Sequence, residues 1–367
     1  TSRVQLDWVD LEPAPQQYDA DPIVEALADA VPDSFVFVLI ATVDSDGVTN
    51  ARPSDLRETP YADSILWERF ARLLERVVLP SLTDRVFLLS VGNEPGGYLE
   101  ENPSEVQPLA DFVNRTRTFI HESEPDLAVG LTMDAIFREI ADASDVVIFN
   151  QYGLNSDLTA IRDPQEFVRG LAARRAAFGM DRPFVVQELG MPSGWDHRDS
   201  AIGSNSTIAA RVTAVMLEEL RTNEQWRAAF WFTLVDWSIN TTELLLNGFE
   251  GLPDIVVERL GEWLRTGGLL QYEQPGAVDM SPRPNWDIFL QGMARIYTPS
   301  PVMAAPSTAP TGAPSLGEIP SPTATPSTAP STEPSPGLSL DAEDHSGVQK
   351  LSYVVARATF VLWLVHV

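Results

Sequence analysis

The sequence has no cysteine, and Lys350 is its single lysine among 367 residues. Without cysteine the chain cannot form a disulfide, use a thiolate as a nucleophile or build a cysteine-based zinc or iron–sulfur site. Histidine is also scarce: four are scattered along the chain, and no His-x-His or His-Glu-x-x-His spacing occurs. We therefore predict neither a metal centre nor a cofactor.

Positive charge is in short supply as well. Asp and Glu number 52 against 25 Lys and Arg, which gives a formal net charge of −27. A surface of that sign repels phosphate backbones and anionic headgroups, so we expect no nucleic-acid partner. Hydrophobic residues make up 44% of the chain, enough for a large core, and the nine tryptophans can pack in that core or serve as platforms for sugar rings.

The composition of the chain changes near Tyr297. Residues 298–340 consist mainly of Pro, Ser, Thr and Ala, and such a segment buries too little apolar surface to offset chain entropy. We predict a disordered linker there, between a folded domain at 1–297 and a tail at 341–367. The tail ends in 17 strongly apolar residues that include Arg357, which are either the start of a membrane anchor or a truncated end. Because such linkers are common in exported proteins, we expect an extracellular or cell-surface-attached monomer.

Short apolar segments alternate with helix-period segments throughout the predicted domain. The strand candidates are 3–8, 35–42, 85–92, 127–133, 145–152, 183–189 and 228–235. Repeated strand–helix units predict a parallel sheet with right-handed crossovers. No glycine-rich phosphate loop follows a strand, which argues against a nucleotide-binding fold. The pattern predicts an α/β chain with a (β/α)8 TIM barrel that lacks strand 1.

Polar and aromatic side chains stand where several of these segments end. They are Asn93 and Glu94, Asn150 and Tyr152, Glu188, and Trp237. In a (β/α)8 barrel the active site lies at the carboxyl ends of the strands. Strand alternation puts Gly92 on the face of Glu94, which leaves open space beside the carboxylate, and groups Trp231 with Trp237. Two carboxylates beside indole rings suit glycosidic bond cleavage, in which one carboxyl protonates the leaving oxygen and the other attacks the anomeric carbon or activates water.

Several of these segments resemble a known group of enzymes. VGNEP at 91–95 and VVQELGMPSG at 185–194 resemble the acid/base and nucleophile strands of clan A glycoside hydrolases, which are retaining (β/α)8-barrel enzymes. LDWVDLEPAPQQYDA at 6–20 resembles the strand 2 region of several members, and NQYGLN at 150–155 resembles their strand 6 segment. The resemblance covers roughly the whole predicted domain.

The resemblance implies a role for each matching residue. Glu94 would be the general acid/base and Glu188 the nucleophile, with carboxyl groups about 5–5.5 Å apart. Asn93 would bind the sugar 2-hydroxyl, and Tyr152 would orient Glu188. The other residues expected to contact the substrate are Trp237, Trp231, Trp8 and Asn150.

The predicted function is therefore a retaining glycoside hydrolase that cleaves β-glycosidic bonds in a poly- or oligosaccharide. Counting strands from the resemblance places Glu94 after strand 4 and Glu188 in strand 7, with strand 1 absent, which we interpret as N-terminal truncation. The alternative is a catalytically inactive carbohydrate-binding or structural cell-surface barrel. The intact pair of carboxylates favours the enzyme.

Overall fold

The computed structural model describes residues 2–44, 51–179, 182–195, 199–233, 235–238, 242–243, 246, 253–272, 280–297 and 364–366. The predicted linker at 298–340 lies outside the described residues. So does the predicted tail at 341–367, apart from residues 364–366.

Seven parallel strands form one curled sheet. In their order across the sheet they are β1 (Ser2–Asp7), β2 (Val36–Ala41), β3 (Val86–Asn93), β4 (Ala128–Met133), β5 (Val147–Tyr152), β6 (Phe184–Gly190) and β7 (Trp226–Trp231). Each overlaps one of the apolar segments named above, so the seven predicted strands are confirmed. Two short strands, β8 (Leu270–Tyr272) and β9 (Met280–Pro282), pair with each other, and β10 (Leu364–His366) pairs antiparallel with β7.

Helices follow most of the strands along the chain. They are α1 (Trp8–Leu11), α2 (Asp21–Asp29), α3 (Ser64–Leu73), α4 (Leu79–Ser81), α5 (Gly96–Glu101), α6 (Val106–His121), α7 (Arg138–Ala143), α8 (Pro164–Phe178), α9 (Ser206–Thr222), α10 (Asp254–Thr266) and α11 (Pro284–Tyr297). The side chains of Asp63, Asp163 and Asn205 accept backbone N–H bonds in the first turns of α3, α8 and α9, which fixes where these helices begin. None of the described helices is long and apolar enough to cross a membrane.

The sheet curls until strands that are distant in its order meet across the interior. The ring centroids of Phe37 on β2 and Phe230 on β7 lie 5.4 Å apart. Arg3 on β1 reaches Glu188 on β6, with 2.7 Å between Nη1 and Oε1. Strands covered on both faces are typical of parallel α/β sheets, and all six residues of β2 are buried. The architecture is a curled half-barrel of the TIM type.

The strands lose strict alternation near their carboxyl ends. Alternation placed Gly92 on the face of Glu94, beside open space. A Cβ added to Gly92 would instead meet Val43 Cγ1 at 3.0 Å and Leu131 Cδ1 at 3.1 Å, and both of these side chains are buried. The predicted open space at Gly92 is therefore wrong. The cause is a register shift between β3 and β4 just before Asn93.

Candidate active site

Glu94 follows β3 directly and is only 4% exposed. Its backbone has φ of 43°, a left-handed conformation that costs a non-glycine residue roughly 1–3 kcal/mol. Two contacts hold it there: its N–H donates to the Thr132 carbonyl at 2.9 Å, and Asn150 Nδ2 donates to its Oε1 at 2.6 Å. Residues at the ends of β4 and β5 thus fix the orientation of this carboxyl group.

The surroundings of Glu94 favour its protonated form. Burial raises the pKa of Glu94 well above its ordinary value of 4.5, and the negative charge of Glu188 raises it further. Asp134 and Asp44 act in the same direction, whereas the hydrogen bond from Asn150 opposes them. A carboxyl group that keeps its proton to higher pH is suited to act as a general acid.

Glu188 lies within β6 and is 3% exposed. Arg3 Nη1 donates to Oε1 at 2.7 Å, and the Tyr152 hydroxyl donates to Oε2. The side chain of Arg3 is itself only 9% exposed, so this ion pair is largely shielded from water. Burial raises the pKa of Tyr152 well above its ordinary value of 10.0, and the charges of Glu188 and Glu94 raise it further, which keeps the phenol a donor. A cation and a phenol therefore both donate to the Glu188 carboxyl group.

Aromatic rings cluster on the Tyr152 side of the site. Tyr152 packs edge-on against Trp263 with 4.7 Å between centroids, and Phe232 lies 6.0 Å from Tyr152. Trp237 extends the group, with its centroid 6.4 Å from that of Phe232. We call these four residues the aromatic wall. Phe232, Trp237 and Trp263 are buried, so they pack beside Tyr152.

Asn93 ends β3 and is fully buried, with its amide held on both sides. Its Nδ2 donates to Asp44 Oδ1 at 2.8 Å, and its Oδ1 accepts from Gln187 Nε2 at 3.1 Å. Gln187 in turn accepts a hydrogen bond from the Thr132 hydroxyl. These bonds tie the end of β3 to β4, to β6 and to the residues after β2. The expected contact of Asn93 with a sugar hydroxyl stays a prediction.

Two of the tryptophans expected to contact substrate pack elsewhere. The ring of Trp231 lies 5.6 Å from that of Phe289 on α11, and Phe232 takes its place in the aromatic wall. Alternation is kept at this point of β7. Phe230 points into the interior against Phe37, so Phe232 shares that face and Trp231 points to the helix side. Trp8 is fully buried in α1, and its Nε1–H donates to Glu12 at 2.8 Å.

Sequence reasoning missed several residues around the two glutamates, among them Arg3, Asp134 and Gln187. Asp134 directly follows an apolar strand, so the signal that found Glu94 could also have found it. No local pattern points to Arg3, which lies 185 residues from Glu188 in the chain. Within the described ranges, no group of three or more Asp, Glu and His side chains could hold a metal ion.

No family model matches the chain, and no curated protein matches it in sequence. Solved structures are similar in fold. A GH5_18 variant from Streptomyces cattleya in complex with Manb1-4GlcNAc has 15% identity and a TM-score of 0.56, and the match covers 82% of this chain and 72% of that one. The beta-glycosidase BGL167 has 15% identity and a TM-score of 0.51, and the match covers 85% of this chain and 84% of that one.

A GH2 beta-galacturonidase from Eisenbergiella tayi bound to galacturonate is similar over 79% of this chain, with 8% identity and a TM-score of 0.47. The chain spans 44% of that longer protein. At these identities the likeness shows a fold alone. That fold is a TIM-like α/β barrel, shared with the GH5_18 protein and with BGL167.

Proposed function

We propose that the chain is a retaining glycoside hydrolase that cleaves β-glycosidic bonds in a poly- or oligosaccharide. The observation that supports this is the pair Glu94 and Glu188, two buried carboxyl groups at the carboxyl ends of β3 and β6. The charge of Glu188 acts on Glu94. Other carboxyl groups surround Glu94, whereas a guanidinium contacts Glu188. Glycosidic cleavage requires one carboxyl that donates a proton and one that is ionised. The glycosidase-like fold of the structural neighbours agrees with this proposal.

The proposed reaction has two displacements. In the first, the Glu188 carboxylate attacks the anomeric carbon while Glu94 gives its proton to the glycosidic oxygen, so the C–O bond breaks and the alcohol leaves. The sugar is then held as an ester on Glu188. In the second, Glu94 takes a proton from water, whose oxygen attacks the anomeric carbon and expels the Glu188 carboxylate. Two inversions return the β configuration.

The coupling between the two carboxyl groups suits this sequence of events. The charge of Glu188 is among the causes that raise the pKa of Glu94 in the resting protein. Formation of the ester removes that charge, so the pKa of Glu94 falls when Glu94 must change from acid to base. Arg3 and Tyr152 remain as donors toward the Glu188 oxygens and stabilise the carboxylate when it leaves.

A substrate panel tests the proposal. We expect the purified protein to hydrolyse at least one of the aryl β-glycosides of glucose, galactose, mannose and xylose, or one of the matching β-glucans, galactans, mannans and xylans. Proton NMR of the first product should show the β anomer, and Glu188→Gln serves as the matched inactive control. First formation of the α anomer would contradict retention. Binding on a glycan array without any hydrolysis would favour the inactive carbohydrate-binding barrel.

We also propose that the Pro-, Ser- and Thr-rich segment tethers this domain at the cell surface, outside the cytoplasm. The support is compositional, since such a segment behaves as an extended spacer. Fractionation of cells that express the full chain tests it. Recovery of the protein in the cytoplasmic fraction would contradict the proposal.

A further inference from the structure

Asp134, immediately after β4, contacts the backbone that follows Glu94. Its Oδ1 accepts a hydrogen bond from the Gly96 N–H at 2.9 Å. A Cβ on Gly96 would overlap the Asp134 carboxylate, so the approach depends on glycine at this position. Gly96 begins α5, two residues after Glu94. Asp134 therefore anchors the turn that leaves the left-handed backbone of Glu94.

The charge of Asp134 is not neutralised by a direct ion pair within the described residues. Arg174 on α8 is the nearby cation, but its Nη1 and Nη2 donate to the backbone carbonyls of Asn150 and Asp134, at 2.5 and 3.0 Å. Burial raises the pKa of Asp134, whereas the N–H groups of Gly96 and Ala135 and the Arg174 cation favour its ionised form.

Charged and titratable groups face Glu94 from every side. They are Glu188 on β6, Asp134 after β4, Asp44 after β2, Tyr152 on β5 and Arg174 on α8. Glu188 forms an ion pair with Arg3, and Asp44 accepts a hydrogen bond from Asn93. Asp134 differs from both because it also holds the backbone next to Glu94.

We propose that Asp134 is a positioning residue for Glu94, which fixes the turn after Glu94 through Gly96 and adds a carboxylate to the charged groups that surround Glu94. The inference rests on the proposed function, because it names what maintains the general acid. It adds a residue that touches neither substrate nor the reacting atoms.

The test uses a variant that separates charge from geometry. Asp134→Asn keeps an acceptor for the Gly96 N–H but removes the charge. We expect the basic limb of the pH profile of kcat/KM to move to lower pH by about one unit. Asp134→Ala should show the same shift. Its kcat should also fall about tenfold, because the hydrogen bond to the Gly96 N–H is lost. The matched control is Asp145→Asn: Asp145 also accepts a backbone N–H, from Val129 at 2.9 Å, and precedes β5 at the opposite end of the sheet. It should leave the profile unchanged.

A second readout does not need activity. The carboxyl stretch of Glu94, identified by infrared difference spectroscopy against Glu94→Gln, reports its protonation directly. A Glu94 titration that moves to lower pH in Asp134→Asn and Asp134→Ala, but not in Asp145→Asn, supports the inference. This holds even if the protein hydrolyses no tested glycoside, because the lack of hydrolysis would count against the proposed function alone. A Glu94 titration that stays unchanged in both Asp134 variants overturns the inference, whatever the activity.

Discussion

Glu94 and Glu188 are identical side chains at the same end of one sheet, and both are almost fully buried. Their neighbours differ in charge. Glu94 receives one amide hydrogen bond and is faced by three other carboxyl groups, whereas Glu188 is held by a guanidinium and a phenol. The comparison teaches that burial alone does not decide what a carboxyl group does. The negative charges around Glu94 raise its pKa beyond what burial does.

The largest effect is expected at Glu188. Glu188→Ala removes the proposed nucleophile, so kcat should fall on the order of 10⁴-fold. Added azide should then restore turnover and give a glycosyl azide, because the vacated space admits an external nucleophile. The exposed Glu139 on α7 offers a control, since Glu139→Ala should retain full activity. A fully active Glu188→Ala protein would reject the assignment.

Replacing Glu94 should give a smaller loss that depends on the leaving group. With a poorly acidic leaving alcohol, Glu94→Gln should lower kcat/KM by roughly 10²–10⁴-fold, because general acid catalysis is lost. With a dinitrophenyl glycoside the first step needs little protonation and should change little. The basic limb of the pH profile should also disappear. Equal losses for both leaving groups would contradict the acid role.

Arg3 should matter less than either glutamate. Arg3→Met removes a charge-assisted hydrogen bond of about 1.5–3 kcal/mol, so kcat/KM should fall roughly 10–100-fold. Arg3→Lys keeps the charge and should recover part of the activity. Arg227, exposed on β7, provides the control: Arg227→Met should behave as the unmodified protein. Wild-type activity in Arg3→Met would show that the cation is not needed by Glu188.

The smallest effects concern stability, and their signs should be opposite. The folded-state pKa of Glu94 lies above its ordinary value of 4.5, so the folded protein holds a proton that the unfolded chain releases as pH rises. Glu94 therefore contributes fully to the free energy of unfolding at pH values below 4.5. This contribution is lost as the pH rises through the folded-state pKa of Glu94. The stability of Glu94→Gln relative to wild type should therefore increase as the pH rises from acidic to neutral.

Glu188→Gln should instead lose stability at neutral pH, because it leaves the buried Arg3 cation without its partner. Thermal unfolding of the two variants across pH 4–8 measures both signs. A loss of stability in Glu94→Gln at neutral pH would contradict the picture of a carboxyl group held against its own ionisation.

Much of the sheet was predictable from the sequence, because each strand is an apolar run of the length that a buried parallel strand needs. Glu94 and Glu188 were predicted as site residues for the same reason, as carboxylates where such runs end. The orientation of side chains near those ends was not predictable. A register shift between β3 and β4 turns Gly92 toward buried apolar side chains. On β7 the inward face carries Phe230 and Phe232 and not Trp231, and which face points inward depends on how the sheet curls.

Long-range partners were also beyond sequence reasoning. Arg3 and Gln187 reach the site only because the sheet curls. Arg3 contacts Glu188 across the interior, and Gln187 contacts Asn93 from a distant strand. Asp134 lay within reach of the strand-end argument. Its contact with Gly96, however, joins the end of β4 to the start of α5, and no local pattern connects these two segments.

The ion pair between Arg3 and Glu188 has a consequence for how the protein loses function. Arg3 belongs to β1, which lies at the edge of the sheet and pairs with β2 alone among the described strands. Such edges open by local fluctuation at a lower free energy than the core. Detachment of β1 would remove the counter-charge of Glu188 while the rest of the sheet stays folded. Among the described strands, the counter-charge of Glu188 is therefore only as stable as the pairing of β1 with β2.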